Sequence, residues 1–239
     1  MIAKQDIPAI AKELAEVGPE AVIAWAVKEL GAESLALATS FGAEDQVLAV
    51  MVQQVNKRIG IFTLDTGRLP QPTYDTMSRT RTFLGCRIEA LFPDREQVEA
   101  LTMTHGPNLF YESMALRKQC CQVRKVVPLQ RKLATLKGWI CGLRREQSVT
   151  RAAVSKVEWD EGNGLVKFNP LADWSEAQVW ACIKEKGIPY NPLHDLGYPS
   201  IGCAPCTRVV APGGDIRSGR WWWEDPTQKE CGLHLKQKR

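Results

Sequence analysis

Short apolar runs alternate with amphipathic stretches along most of the chain. Runs of strand length occupy residues 35–39, 59–64 and 87–91, and each is followed by a stretch with helical periodicity. A fourth run, at residues 139–142, continues the pattern. Because strands that alternate with helices are typical of βαβ units, the pattern predicts an α/β fold: a mostly parallel, twisted sheet with helices on both faces.

Local signals mark several helix starts. Residues 6–30 are expected to form two short helices. Asp94 with Gln97, and Ser175 with Gln178, form capping-box-like starts for two more. Further helices are predicted over residues 46–54, 73–83 and 124–136.

The pattern changes in the last part of the chain. Pro, Gly and Cys become dense after Gly187, and no clear periodicity remains. We therefore expect an α/β nucleotide-binding domain over residues 1–205, and an irregular, mobile C-terminal tail over residues 206–239 that carries a further cysteine.

The composition is that of an ordinary soluble protein with one unusual feature. The 239 residues are 44% hydrophobic and 24% charged with a formal net charge of +4, which excludes disordered, collagen-like and coiled-coil classes. The first residues lack the unbroken apolar stretch of a signal peptide, and no run approaches the ~18 residues of a membrane span. We therefore expect a cytoplasmic protein without membrane contact, whose 8 cysteines indicate metal or redox chemistry rather than disulfides.

Polar motifs follow three of the predicted strands, at residues 40–45, 65–67 and 142–151. Ligands of an open parallel sheet bind beyond the carboxyl ends of its strands, so the motifs predict a small-molecule site. In the first motif, the Ser40 hydroxyl and the backbone N–H groups at the helix start could hold an oxyanion, although an ordinary strand-to-helix turn would have the same residues.

The first two motifs resemble those of a known family. Residues 37–45, Leu-Ala-Thr-Ser-Phe-Gly-Ala-Glu-Asp, resemble the modified PP-loop of the sulfonucleotide reductases, relatives of the ATP pyrophosphatases. The loop lacks the second glycine and the final serine of ATP users, which suits a single phosphate. The resemblance implies an adenine nucleotide alpha hydrolase-like (PP-loop) fold. It also implies substrate contacts from Ser40, Phe41, Gly42, Asp65, Thr66 and Gly67.

Four cysteines form two pairs, Cys120-Cys121 and Cys203-Ala-Pro-Cys206. Spacing alone leaves open a zinc site, a vicinal disulfide and an iron–sulfur cluster, although adjacent thiolates are awkward on one tetrahedral zinc ion. The pairs resemble the motifs of assimilatory adenylyl-sulfate (APS) reductases. That resemblance implies a [4Fe-4S] cluster on these four cysteines. Lys125, about one helical turn beyond Cys121, would then lie between the cluster and an anionic substrate.

A further cysteine, Cys231, lies near the C-terminal end. Lys229 and His234 are close enough in sequence to favour its thiolate, and an exposed thiol without function is the alternative. Residues 221–224 and 229–234 resemble the catalytic tail of the family. The resemblance implies that Cys231 attacks APS, with His234 and Lys125 also catalytic, and that thioredoxin or glutaredoxin releases sulfite from an S-sulfocysteine.

Fixed cations are expected because a thiolate and an anionic substrate repel each other. For each arginine alone, surface solvation is the alternative. The resemblance implies substrate binding by Arg144, Arg151, Arg217 and Arg220. The cysteines and histidines that match no chemistry are expected to be structural residues: Cys86, Cys141, Cys182, His105 and His194.

The resemblance extends over about residues 35–235 and implies reduction of APS to sulfite and AMP in sulfate assimilation. The alternatives are a reductase of the 3′-phosphorylated nucleotide (PAPS) or of both nucleotides, a PP-loop tRNA thiolase, and a zinc-bound nucleic-acid module. A thiolase needs the loop residues of ATP users. A nucleic-acid module needs a basic stripe with aromatic residues, whereas these arginines collect at strand ends, so no nucleic-acid partner is expected. A homo-oligomer is compatible with the sequence.

Overall fold

The computed structural model of the chain describes residues 2–148 and 151–225. Within these ranges a single six-stranded sheet has the order β3-β2-β1-β4-β6-β5. Five strands run parallel, and β5 pairs antiparallel with β6 at one edge. The strands are β1 (Leu35–Ala38), β2 (Gly60–Leu64), β3 (Glu89–Leu91), β4 (Gly138–Ile140), β5 (Val157–Asp160) and β6 (Leu165–Phe168).

Helices precede and connect the strands. Asp94 and Ser175 accept hydrogen bonds from the backbone N–H groups of Gln97 and Gln178, as the capping pattern predicted. The described helices are α1 (Ile7–Glu13), α2 (Pro19–Leu30), α3 (Ala43–Val55), α4 (Gln71–Leu84), α5 (Arg95–His105), α6 (Met114–Cys121), α7 (Val127–Leu133) and α8 (Glu176–Lys186).

Alternating side chains of the central strands supply a core on each face of the sheet. Leu37 and Ile61 pack with α2, α3 and α8 on one face. Ala36, Phe62 and Trp139 pack with α7 on the other. Because successive side chains of a strand point to opposite faces, fully apolar strands such as these are typical of a sheet covered on both sides. The predicted fold class is confirmed.

The strand order reverses at β1, which pairs with β2 on one side and β4 on the other. Such a reversal leaves a crevice at the carboxyl ends of the two diverging strands. The residues that follow β1 and β4 therefore border the same crevice.

Two parts of the fold differ from the sequence prediction. The β5–β6 hairpin was not predicted. The helix expected over residues 124–136 is wrong at its start, because the helical chain begins with α6 and reaches α7 through a π-helical turn, Gln122–Val126. Cys120 and Cys121 thus lie in the last turn of α6, within a helical segment that continues through the π-helical turn. No helix in the described ranges is long and apolar enough to cross a membrane.

Candidate active site

A cavity of about 250 Å³ lies in the crevice at the carboxyl ends of β1 and β4. It brings together motifs from distant parts of the sequence. The predicted site residues in its wall are Ser40, Gly42, Thr66, Lys125, Arg144, Arg151, Cys203, Arg217 and Arg220.

In the loop after β1, the Asp45 carboxylate accepts hydrogen bonds from Ser40. The backbone N–H and the hydroxyl of Ser40 donate hydrogen bonds to Asp45 Oδ2 at 2.6 and 2.8 Å. Burial raises the pKa of Asp45 to about 6, and the neighbouring Glu44 adds to the shift. The donors of Ser40 therefore have a partner within the loop itself.

Three of the predicted substrate contacts are absent from the described cavity wall and shape the loops beside it. Phe41 is 1% exposed and has a positive φ of 61°. Asp65 accepts hydrogen bonds from the Gly67 N–H and the Tyr74 hydroxyl, each at 2.9 Å. Burial, followed by the contact with Asp65, raises the pKa of Tyr74 to about 12, so this hydroxyl remains a donor.

Arg144 is engaged in a buried ion pair. Its side chain is 2% exposed, and its Nε donates to Glu44 Oε1 at 2.8 Å. Its guanidinium also reaches Glu146 at 3.3 Å and the carbonyl oxygen of Trp174 at 3.2 Å. The pair joins the loop after β4 to the first turn of α3.

The two cysteine pairs meet in one buried cluster. Cys120, Cys121, Cys203 and Cys206 pack with Trp221 and nearby apolar side chains. They also line a second, smaller cavity. Lys125 and Cys203 line both cavities, so the arginine-lined cavity and the cysteine-lined cavity share a wall.

Three of the four thiols differ in how their surroundings affect ionisation. Burial raises the pKa of Cys120, and burial together with Cys203 raises that of Cys206 to about 12. Burial also opposes ionisation of Cys203, but Lys125, a 3.2 Å contact with the Thr66 hydroxyl and Arg220 outweigh it and lower the pKa. Cys203 therefore ionises most readily of these three thiols.

Arg220 reaches the cavity from the far end of the described chain. It is 6% exposed, and its Nε donates to the carbonyl oxygen of Cys206 at 3.2 Å. A Cβ at Gly202 would collide with its guanidinium, so this approach requires glycine there. Arg220 and Arg217 both lie over the Trp221 ring, at 4.8 and 5.9 Å from its centroid.

Sequence reasoning missed three polar residues at the site. Arg124 donates to the carbonyl oxygen of Thr66 at 2.7 Å. His194, expected to be structural, lines the larger cavity, and burial lowers its pKa. Arg117 is fully buried. A charged residue in a helix normally indicates a solvated face, so no pattern in the sequence could have identified Arg117.

The remaining predictions concern the cysteines outside the motifs and the catalytic residues near the C-terminal end. Cys141 and Cys182 are buried and Cys86 is half-buried, as expected for structural thiols. Burial raises the pKa of Cys141 to about 11, which keeps that thiol protonated. Cys231 and His234 lie outside the described residues.

Comparison with known proteins identifies the family. The profile of the phosphoadenosine phosphosulfate reductase domain matches residues 34–209. The adenosine 5'-phosphosulfate reductase of Allochromatium vinosum is 52% identical over 205 residues, 86% of this chain and 80% of that protein. The protein of the same name from Pseudomonas aeruginosa (strain LESB58) is 43% identical over 236 residues, 96% of this chain and 86% of that protein.

A solved structure agrees with this result. Phosphoadenylyl-sulfate (PAPS) reductase from Candida auris, in a phosphate complex, superimposes with a TM-score of 0.74 at 30% identity, over 88% of this chain and 98% of that chain. The profile match, the identities and the shared fold show that the chain belongs to the phosphoadenosine phosphosulfate reductase family.

Proposed function

We propose that the protein reduces APS to sulfite and AMP, with electrons from a dithiol protein such as thioredoxin or glutaredoxin. The observation that carries the proposal is the shared wall of the two cavities, where Lys125 borders both the arginine-lined crevice and the four cysteines. The names of the relatives from Allochromatium and Pseudomonas support APS as the substrate.

The charge of the crevice suits an anionic nucleotide. APS carries negative charge on its phosphate and sulfate groups, and Lys125, Arg151, Arg217 and Arg220 all reach the cavity wall. Fixed cations in a partly buried site stabilise such charge without reorganising during the reaction. We assign these four side chains to the phosphate and sulfate groups.

The four cysteines fit a [4Fe-4S] cluster by their donor chemistry. They supply four buried sulfur ligands around one cavity, with Arg68, Arg117, Arg124 and Lys125 in the same wall to balance negative charge. In the described ranges no three His, Cys, Asp or Glu side chains are arranged to hold a single metal ion, whereas a four-iron cluster gives each sulfur its own iron. When bound, the cluster would supply fixed negative charge beside Lys125.

The first chemical step forms a covalent intermediate. The thiolate of Cys231 attacks the sulfur atom of APS, and a bond forms between the two sulfur atoms. The bond from that sulfur to the phosphate oxygen breaks, and its electron pair leaves with AMP. Lys125 and the arginines lower the repulsion between the thiolate and the sulfate.

The second step returns the enzyme to its starting state. One thiolate of the dithiol protein attacks the sulfur of Cys231 and expels sulfite, which leaves a mixed disulfide. The second thiol of the partner resolves it. The partner thereby gives up two electrons and leaves as a disulfide, and Cys231 becomes a thiolate again.

Sulfur-labelled APS tests the proposal directly. The purified protein is mixed with labelled APS in the absence of any dithiol, and the label is mapped by peptide analysis. We expect stoichiometric label on Cys231, released as sulfite when thioredoxin is added. Cys231→Ser should accept no label, whereas the matched control Cys182→Ser should label as the wild type does. Full turnover by Cys231→Ser would refute the mechanism.

A PAPS reductase is the second candidate, because the solved relative from Candida auris carries that name. Parallel labelling with PAPS separates the two activities. Preferential transfer from PAPS would overturn the assignment of APS as the substrate while leaving the mechanism intact.

A further inference from the structure

A buried ion pair ties helix α6 to the last described segment of the chain. Arg117 Nε and its terminal nitrogen donate to the two carboxylate oxygens of Glu224 at 2.8 and 2.6 Å. The Arg117 side chain is 1% exposed and that of Glu224 is 6% exposed. Two parallel hydrogen bonds fix the orientation of both groups, which a single contact does not.

Arg117 also touches the cysteine cluster and its neighbouring indole. It hydrogen-bonds the Cys121 side chain, one helical turn further along α6. Its guanidinium lies over the Trp221 ring, 4.7 Å from the centroid. One side chain therefore contacts a proposed cluster ligand, the indole beneath Arg220, and Glu224.

Glu224 lies in a compact turn directly after three tryptophans, which pack on the cysteine cluster and on Phe110 and Tyr111. Its N–H donates to the carbonyl oxygen of Trp221 at 2.9 Å, and the N–H of Trp221 donates to that of Cys206 at 3.3 Å. Cys231 follows Glu224 by seven residues, which span at most about 25 Å when fully extended. The position of Glu224 therefore sets the origin of the region that Cys231 can reach.

We propose that Arg117 is a positioning residue that clamps Glu224, and so fixes the root of the segment that brings Cys231 to the nucleotide. The inference rests on the proposed function, because it assigns a purpose to the clamp within that reaction. A buried ion pair adds little net stability over a well-packed apolar pair of the same volume, so stability alone does not explain this one. Tethering a nucleophile near its target raises its effective concentration, and a small displacement of the tether lowers the rate strongly.

Two variants and one matched control test the clamp. Glu224→Gln keeps the shape of the side chain but removes its charge, and Arg117→Lys keeps the charge but removes the two-pronged contact. Glu158→Gln is the control, since it breaks another buried pair, with Lys167 at 3.8 Å, at the edge of the sheet. All three use the cluster-loaded holoenzyme, and iron content and the dissociation constant of AMP are measured for each.

The deciding readout is the single-turnover rate of label transfer from saturating APS to Cys231. We expect both clamp variants to transfer at least about tenfold more slowly, and we expect iron content and AMP affinity of Glu224→Gln to stay within about twofold of wild type. The double variant should be no slower than the worse single variant, because both changes remove one interaction. Wild-type transfer rates in both single variants would overturn the inference.

Hydrogen exchange of the Glu224 backbone N–H provides a readout that needs no APS. This N–H donates to the carbonyl oxygen of Trp221 at 2.9 Å, so its exchange rate reports how firmly the turn is held. We expect the rate to rise at least about threefold in both clamp variants and to stay unchanged in Glu158→Gln. If the wild type took no label from APS, the proposed function would fail while hydrogen exchange still decided whether the clamp exists. Equal exchange rates in the wild type and both variants would show that Arg117 does not hold Glu224.

Discussion

Two arginine–glutamate pairs, one beside each cavity, use the same chemistry in different surroundings. Arg144 contacts Glu44 in the wall of the larger cavity, and their side chains are 2% and 18% exposed. Arg117 contacts Glu224 beside the cysteine cluster, and their side chains are 1% and 6% exposed. Arg144 has further carboxylate and carbonyl partners, whereas the charge of Arg117 depends mainly on Glu224.

The difference shows how surroundings decide what a buried charge contributes. Gln147 also donates to Glu44, at 3.0 Å, so loss of one contact leaves each member of that pair with another partner. For Arg117, burial alone would lower the pKa, and Glu224 reverses the shift. We therefore interpret the first pair as part of a wall in which each charge has several partners. The second pair adds a charged, oriented contact to the packing of Trp221 between the same two segments.

The largest effect should come from neutralising Glu224. Glu224→Gln leaves the guanidinium of Arg117 buried without a carboxylate, which costs about 3–5 kcal/mol of unfolding free energy when a buried pair is broken. Urea denaturation of the wild type and the variant measures this loss. A loss below about 1 kcal/mol would show that other groups compensate the charge of Arg117.

An intermediate effect is expected at Asp45, which follows Glu44 in the wall of the larger cavity. Burial raises the pKa of Asp45 to about 6 from an ordinary 3.8, so the folded protein holds this proton more tightly than the unfolded chain does. The stabilisation is therefore complete below about pH 4 and is lost as the pH rises through 6.

Asp45→Asn should remove this dependence, because an amide does not titrate. Relative to the wild type, the free energy of unfolding of the variant should rise by up to about 3 kcal/mol between pH 4 and pH 8. Unfolding of both proteins at several pH values measures the change, and Asp75→Asn at an exposed position of α4 serves as a control. A difference that stays constant with pH would contradict the raised pKa.

The smallest effect is expected for Glu44→Gln. Arg144 keeps Glu146 and the carbonyl oxygen of Trp174, so the unfolding free energy should fall by only about 1 kcal/mol. Urea denaturation alongside Glu224→Gln gives the direct comparison. Equal losses for the two substitutions would mean that the number of alternative partners does not distinguish the pairs.

Most strands and helices of the fold could be predicted because each has a recognisable local pattern in the sequence. Apolar runs of strand length define β1 and β2, and capping residues define the starts of α5 and α8. The β5–β6 hairpin gave a weaker signal, since Lys167 lies within a fully buried strand and interrupts its apolar pattern. Helix α6 was hidden by its charged residues, one of which, Arg117, proves to be buried.

Sequence motifs could identify individual residues of the site, but they could not predict the contacts between residues far apart in the chain. The cysteine pairs and Lys125 were found by their spacing, and the structure brings them together. The pairing of Arg144 with Glu44 could not be predicted from the sequence, because the two residues are separated by 100 positions and no local pattern links them. Arg144 also lines the larger cavity, so its predicted contact with the substrate stays a prediction.

The π-helical turn between α6 and α7 makes this segment more sensitive to the gain or loss of a residue than to the substitution of one. The five residues Gln122–Val126 complete this wide turn, and Lys125 lies within it. In an ordinary helix each residue advances about 100°, so losing one residue between Cys121 and Lys125 would rotate the lysine away from the wall it shares with both cavities. Over evolutionary time, this stretch should therefore accept substitutions at the exposed Gln122 while excluding insertions and deletions.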